Sequence, residues 1–186
     1  MHGSKALEWC LALEPSTCLD VGSGSGEHAR IFRDNGWNVT TVSYIPPADY
    51  VGDFLNFPSD TVYDLVWSSH CLEHMRNSGI FLDKCFSLVS HGGWFAVTVP
   101  PLKNQIVGGH VSLWNPGLLL YNLVLAGFDC SNARVEKYGY NISVLVQKTG
   151  HVDMSDLTYD SGDLIKLKKY FPFDFHMDSF DGEMEG

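Results

Sequence analysis

Apolar residues recur at Ala6, Leu7, Cys10, Leu11 and Leu13 in "SKALEWCLALE", the spacing of one helical face, with Ser4 placed to cap it. A short apolar run, "STCLDVG", then ends in glycines and reads as a strand. "GEHARIFRDNG" returns to helical spacing through Ala29, Ile31 and Phe32 and stops at Asn35-Gly36. The β-branched "WNVTTVS" predicts a second strand, ended by "YIPPADY", whose prolines forbid an immediate helix. "TVYDLVWSS" predicts a buried strand, "SGIFLDKCFSLVSHGG" an amphipathic helix closed by Gly92-Gly93 with His91 capping its end, and "WFAVTVPP" a further strand. Asn115 and Pro116 open a helix over "NPGLLLYNLVLAGF", as a cap and a first-turn proline do. "FDCSNARVEKYGYNISVLVQK" predicts two strands joined around Tyr138-Gly139-Tyr140. Strands alternating with helices and closing on a hairpin define an α/β chain. The expected fold is a Rossmann-like open, mostly parallel sheet with helices on both faces and a C-terminal antiparallel hairpin.

Composition adds limits to this outline. At 186 residues, 45% hydrophobic and 13% aromatic, the chain is long enough for a sizeable core and argues against disorder. The formal charge of −10 disfavours a nucleic-acid partner, because phosphate backbones are held by clustered Lys and Arg. Nine acids and three lysines fall in residues 151–186, so these are expected to form a loosely ordered acidic extension on a domain of residues 1–150. Five cysteines without a C-x-x-C read as free thiols in a reducing compartment. With no signal-like start and no stretch of about 20 apolar residues, the expectation is a cytoplasmic protein without membrane contact.

Chemistry concentrates at strand ends. The first strand runs into Asp20-Val21-Gly22-Ser23-Gly24-Ser25-Gly26, where glycines permit a sharp turn and helix N–H groups face a ligand. The pattern is acidic-x-G-x-G-x-G. It is not the dinucleotide fingerprint, whose third small residue would fall at Glu27, and no Gly-Lys-Ser/Thr follows to make a P-loop.

With "LDVGSGSGEHARIFRDNG", "GDFLNFPSDTVYDLVWSSHCLEHM", "FSLVSHGGWFAVTVP" and "LAGFD" in that order over roughly residues 17–148, the chain resembles the class I S-adenosylmethionine-dependent methyltransferases. It is most similar to small-molecule members that carry H-x-L-E-H after the strand the family counts as its fourth. The resemblance implies S-adenosylmethionine as cofactor. Asp20 would orient its amino-acid end, Gly22 and Gly24 let the loop approach it, Asp53 and Phe54 flank the adenine, and Ser68 and Ser69 border the sulfonium. Two departures stand out. Ser43, followed by Tyr44, occupies the place of the family's ribose-gripping acid, with Asp49 as a possible substitute, and the helix between the second and third predicted strands shrinks to "IPPADY".

His70-Cys71-Leu72-Glu73-His74 also spells H-x-x-E-H, a zinc-peptidase pattern. That site needs both histidines on one continuous helix and a third, usually helical, ligand downstream. His70 follows a strand, and the downstream glutamates, Glu136, Glu183 and Glu185, lie in a predicted strand and the tail. A zinc hydrolase is therefore disfavoured and no metal site is expected. In the methyltransferase frame Leu72 anchors the segment, Glu73 and His74 hold it, and His28 is structural. His70 or His110 ("GGHVSLWNP") would serve as base at the rim. The expected reaction is methyl transfer to an oxygen or nitrogen of a small-molecule acceptor, the site being open or completed by a partner or by a second subunit of a homo-oligomer. The alternative is a binding module of the same fold that transfers no methyl.

Overall fold

The computed structural model describes residues 2–184 apart from Pro15 and Ser59. Its strands are β1 (Thr17–Val21), β2 (Asn38–Ser43), β3 (Tyr50–Val51), β4 (Tyr63–Ser69), β5 (Val89–Val99), β6 (Arg134–Tyr138) and β7 (Asn141–Gln147). The helices are α1 (Ser4–Leu11), α2 (Glu27–Asp34), α3 (Ser78–Leu88), α4 (Pro116–Leu125) and α5 (Asp163–Leu167). All seven strands join one sheet in the order β3-β2-β1-β4-β5-β7-β6. Pairing is parallel from β3 to β5 and antiparallel at β5–β7 and β7–β6, so the expected fold class holds.

Side chains alternate across the strands with the period of two that a pleated sheet imposes. Leu19, Val21, Val66, Phe95, Val97 and Val144 face α3 and α4 in one core. Cys18, Leu65, Trp67, Ala96 and Leu145 face α1 and α2 in a second. The chain leaves β1 toward β2 on one side and returns as β4 on the other. The carboxyl ends of β1 and β4 therefore flank the switch point at which open α/β sheets bind ligands.

The structure departs from the pattern of the sequence in four places. The helix expected to reach Gly92-Gly93 stops at Leu88. Residues 89–93 join β5 instead, through a register shift against β4, so His91 lies in a strand and caps nothing. Ser4 is the first residue of α1 rather than its cap; Gly3, at φ 70°, stands in the cap position and has no side chain to bond the first-turn N–H groups. Between β2 and β4 the chain forms the two-residue β3, which adds an edge strand the sequence did not announce. Finally, the acidic extension is not loose where it carries aromatics. Val152, Leu167, Phe171 and Phe175 are buried in the same core as α3 and α4. Phe171 meets Phe175 and Phe180 edge-on at 5.4 and 5.5 Å between centroids.

Candidate functional site

The glycine loop leaves β1 with Gly22 at φ 78° and Gly24 at φ 51°, left-handed conformations that glycine adopts without strain. Gly22 and Ser23 both donate to the Val42 carbonyl, tying the loop to β2. A Cβ at Gly22 would lie 2.7 Å from Cβ and Sγ of Cys71, so this glycine is demanded by packing against the end of β4. Around a Cβ at Gly24 or Gly26 there is open space within 4 Å. A cavity of about 420 Å³ lies beside them, lined by Ser25, Gly26, Glu27 and Arg30.

Asp20 is buried, and its Oδ2 has no hydrogen-bond partner. Burial lifts its pKa to about 7, against the opposing pull of the Ala29 N–H and Arg33. The hydroxyls of Ser23 in the loop and of Ser68 and Ser69 at the end of β4 are likewise buried without partners. Four orphaned polar groups at one switch point are unusual in a native interior, where such groups are nearly always satisfied. Ser69 lies under Gly3, whose Cβ would come within 2.9 Å of its hydroxyl, so the N-terminal segment covers this end.

On the adenine side, Asp53 Oδ1 accepts from the Leu55 N–H at 2.9 Å and starts a short 3-10 turn, Phe54–Asn56. Phe54 turns into the core against Phe81 at 5.0 Å, while Leu55 joins Tyr44, Asp53 and His74–Asn77 around a cleft of about 300 Å³. Desolvation and the neighbouring Asp53 carboxylate raise the pKa of the Tyr44 phenol. At the ribose position the Ser43 hydroxyl accepts from the Ile45 N–H at 3.3 Å. Asp49 is not a substitute there. Its Oδ2 accepts from the backbone and hydroxyl of Thr41 at 2.8 and 2.7 Å and from Arg33 at 3.2 Å, which lowers its pKa.

His70 sits where β4 ends, at φ 53°, a backbone strained for a residue with a side chain. Its N–H donates to the Thr98 carbonyl at 2.8 Å. Nε2 lies 3.0 Å from Asn141 Oδ1, which also accepts from the Gly3 N–H, so Nε2 carries the hydrogen. Nδ1 faces Glu73 Oε1 at 3.3 Å. Burial pulls the His70 pKa down, but Glu73 and Asn141 outweigh it and the net direction is up. The His2 ring packs against His70 at 4.1 Å, and the His2 carbonyl accepts from His28 Nε2 at 3.0 Å.

The segment after His70 is a 3-10 turn, Leu72–His74, and not the continuous helix a zinc-peptidase pair requires. Glu136 lies in β6, Glu183 pairs with Lys137 and Glu185 lies outside the described residues. Leu72 is buried, and so is Glu73, both of whose carboxylate oxygens lack a hydrogen bond. His110 is on the long loop after β5, its ring edge-on to His74 at 5.1 Å. It lines a small recess with Pro100, Lys103, Val107 and Tyr140. The structure thus gathers Asp20, Ser68, Ser69, Ser43, Asp53 and both histidines at one rim, while Phe54 belongs to the core. Asn141 and His2 had no signal in the sequence. Asn141 reaches His70 from 71 positions away, and only the β5–β7 pairing carries it there.

This sheet, with its glycine loop at the switch point, is the fold of the S-adenosylmethionine-dependent methyltransferases. A methyltransferase-domain family matches residues 4–159, and the chain belongs to that family, whose methyl donor is S-adenosylmethionine. A curated relative, 2-methyl-6-phytyl-1,4-hydroquinone methyltransferase of Synechocystis, is 33% identical over 100 residues. The match covers 44% of this chain and 31% of that protein, so the chain spans about a third of its relative. Among solved structures, the chain is similar to the 1,6-didemethyltoxoflavin-N1-methyltransferase of Burkholderia thailandensis, with TM-score 0.67 and 17% identity over 80% of this chain and 77% of that one. It is also similar to the [4+2]-cyclase SpnF, with TM-score 0.62 and 15% identity over 81% of both chains. No helix among the described residues is long and apolar enough to cross a membrane.

Proposed function

We propose that this chain transfers a methyl group from S-adenosylmethionine to an oxygen or nitrogen of a small, uncharged or cationic acceptor. The observation that carries the reading is the set of orphaned polar groups at the switch point. Asp20 Oδ2 and the Ser23 and Ser68 hydroxyls are buried without partners beside an open glycine loop. A zwitterionic amino-acid end fits this set, since its ammonium needs an acceptor and its carboxylate needs N–H and O–H donors. Asp20 would take the ammonium, and the loop N–H groups and Ser23 the carboxylate. Asp53 and Tyr44 would meet the adenosine in the neighbouring cleft. When bound, the cofactor supplies an electrophilic methyl group. The chain's part is to hold the acceptor in line with it and keep water out.

His70 is held through Nε2 by Asn141, and its Nδ1 faces Glu73 Oε1 at 3.3 Å rather than the rim. Its proposed role is to wall and polarise the rim. His110, half-buried on its loop, is the better placed base for an acceptor that must lose a proton. The quinol substrate named for the Synechocystis relative makes a phenolic hydroxyl the chemistry to try first. Exposed Leu102, Ile106, Val111 and Leu113 on the loop after β5 suit an apolar acceptor body or a second copy of the chain.

A second reading has its own support. Neither Ser43 nor Asp49 offers the ribose a free carboxylate, and the fold also serves SpnF, named for a cyclisation. Under that reading the chain binds the nucleoside without transferring methyl. Calorimetry with S-adenosylmethionine and S-adenosylhomocysteine, followed by a labelled-methyl assay on a panel of phenols and amines, tests both. Micromolar binding with turnover of one panel member is expected. Binding without turnover favours the second reading, and absence of binding overturns both.

A further inference from the structure

The buried Glu73 and its neighbour His74 are left over from the methyl-transfer reading, and beside them stands His110, which is free to act as a base only while it holds no ion. Glu73 is fully buried in the middle of the Leu72–His74 turn, and neither of its carboxylate oxygens has a hydrogen-bond partner. His74 Nδ1 lies 2.8 Å from the Gly109 carbonyl. A carbonyl only accepts, so Nδ1 carries the hydrogen and the neutral ring presents its lone pair at Nε2. That Nε2 stands 3.8 Å from Glu73 Oε1. A lone pair facing a carboxylate needs something positive between them, and either a proton or a metal ion can serve. His110 decides between the two. One ligand atom from each of Glu73, His74 and His110 lies within 4.8 Å of the others, a third donor for which a proton has no use.

We propose that Glu73, His74 and His110 form a binding site for a divalent transition-metal ion of the zinc type. Two imidazoles and one carboxylate are the donor set such ions take, and the positions left open accept water or an acceptor oxygen. The Gly109 carbonyl already does what an outer partner does for a ligating histidine, fixing its tautomer and ring orientation. The ligand set differs from the His70/His74 pair that the H-x-x-E-H spacing names, because His70 is turned to Asn141. The site also has a structural consequence. His110 belongs to the loop after β5, which is bound to this turn through Val111 N–H on the Glu73 carbonyl at 2.8 Å. A metal ion would fasten that loop to the end of β4, beside the expected acceptor position. An exposed His74 and a half-buried His110 leave the entry open. All five cysteines are buried and do not compete for the ion.

The inference does not depend on methyl transfer, and its test uses the metal alone. Tag-free, metal-stripped chain of these 186 residues is titrated with zinc chloride by calorimetry and with cobalt chloride by visible absorbance. One ion per chain is expected, at low-micromolar dissociation constant or tighter. His110→Ala, on a loop, should weaken binding by about tenfold or more. Glu73→Gln should do the same, with its thermal melt recorded to show that it folds. His91→Ala at the opposite end of the sheet, and His2→Ala beside His70, should bind as the unsubstituted chain does. Failure of that chain to take up one ion overturns the site. So does His110→Ala at full affinity, or equal weakening in the two control variants.

Discussion

Gly22 and Gly24 stand two residues apart in one loop and answer to different constraints. A side chain at Gly22 meets Cys71 at 2.7 Å and also strains a left-handed backbone. Gly22→Ala should therefore destabilise the fold by about 1–3 kcal/mol, read by urea denaturation. Gly24→Ala has open space, so its cost is limited to the backbone, about 1–2 kcal/mol, while S-adenosylmethionine affinity falls steeply. Equal affinity loss for both variants at matched stability would show that the loop does not approach the ligand at Gly24. Asp20 gives a pH prediction with two opposite signs. Its folded pKa, about 7, lies above the ordinary 3.8, so the unfolded chain releases the proton first. The free protein should lose stability as pH rises from about 4 to about 7, and Asp20→Asn should flatten that part of the profile. Binding of an ammonium requires the ionised form, so affinity for S-adenosylmethionine should instead rise between about pH 6 and pH 8. Calorimetry across that range checks this.

Among the elements, the two ends of the chain depart furthest from their sequence patterns. The stretch after β7 is acidic enough to read as solvated, yet Phe171 and Phe175 are 5% and 6% exposed against the same core that α4 completes. Phe171→Ala should cost about 3–5 kcal/mol in urea denaturation, whereas a loose extension would show no change. Charge density hid this because the acids and aromatics alternate, and only packing separates the two faces. At the other end, α1 reads as an ordinary amphipathic helix, but the two residues before it reach the rim. Gly3 covers Ser69 and donates to Asn141, and His2 rests on His70. The loss of a helix after β2 was better announced, although β3 itself was not. The prolines of "YIPPADY" exclude the usual helix, and the structure has only the two-residue β3 and a 3-10 turn there.

At the scale of the whole molecule, two cores on opposite faces of one seven-stranded sheet share every central strand, so the chain should unfold in one cooperative step. Ligand at a hundredfold excess over its dissociation constant adds about 2.7 kcal/mol of stability. For a chain of this length S-adenosylmethionine should raise Tm by roughly 5–10 °C, measurable by scanning calorimetry. No shift at saturating ligand would remove the switch-point site from consideration.

By itself the sequence determined the alternation of elements, the hairpin after α4 and the glycine loop, because these depend on periodicity, β-branching, proline and glycine, which act over a few residues. It also placed Asp20, Ser68, Ser69 and His70 at strand ends, since a parallel sheet puts all such ends on one rim. The tertiary structure decided which of those groups remain unsatisfied, that Asp49 turns to Thr41 and Arg33, that Phe54 belongs to the core, and that His70 is held by Asn141. It also brought His110 to Glu73 and His74 across the whole of α3 and β5. Those outcomes depend on burial and on contacts between strands distant in sequence, and no local pattern encodes either.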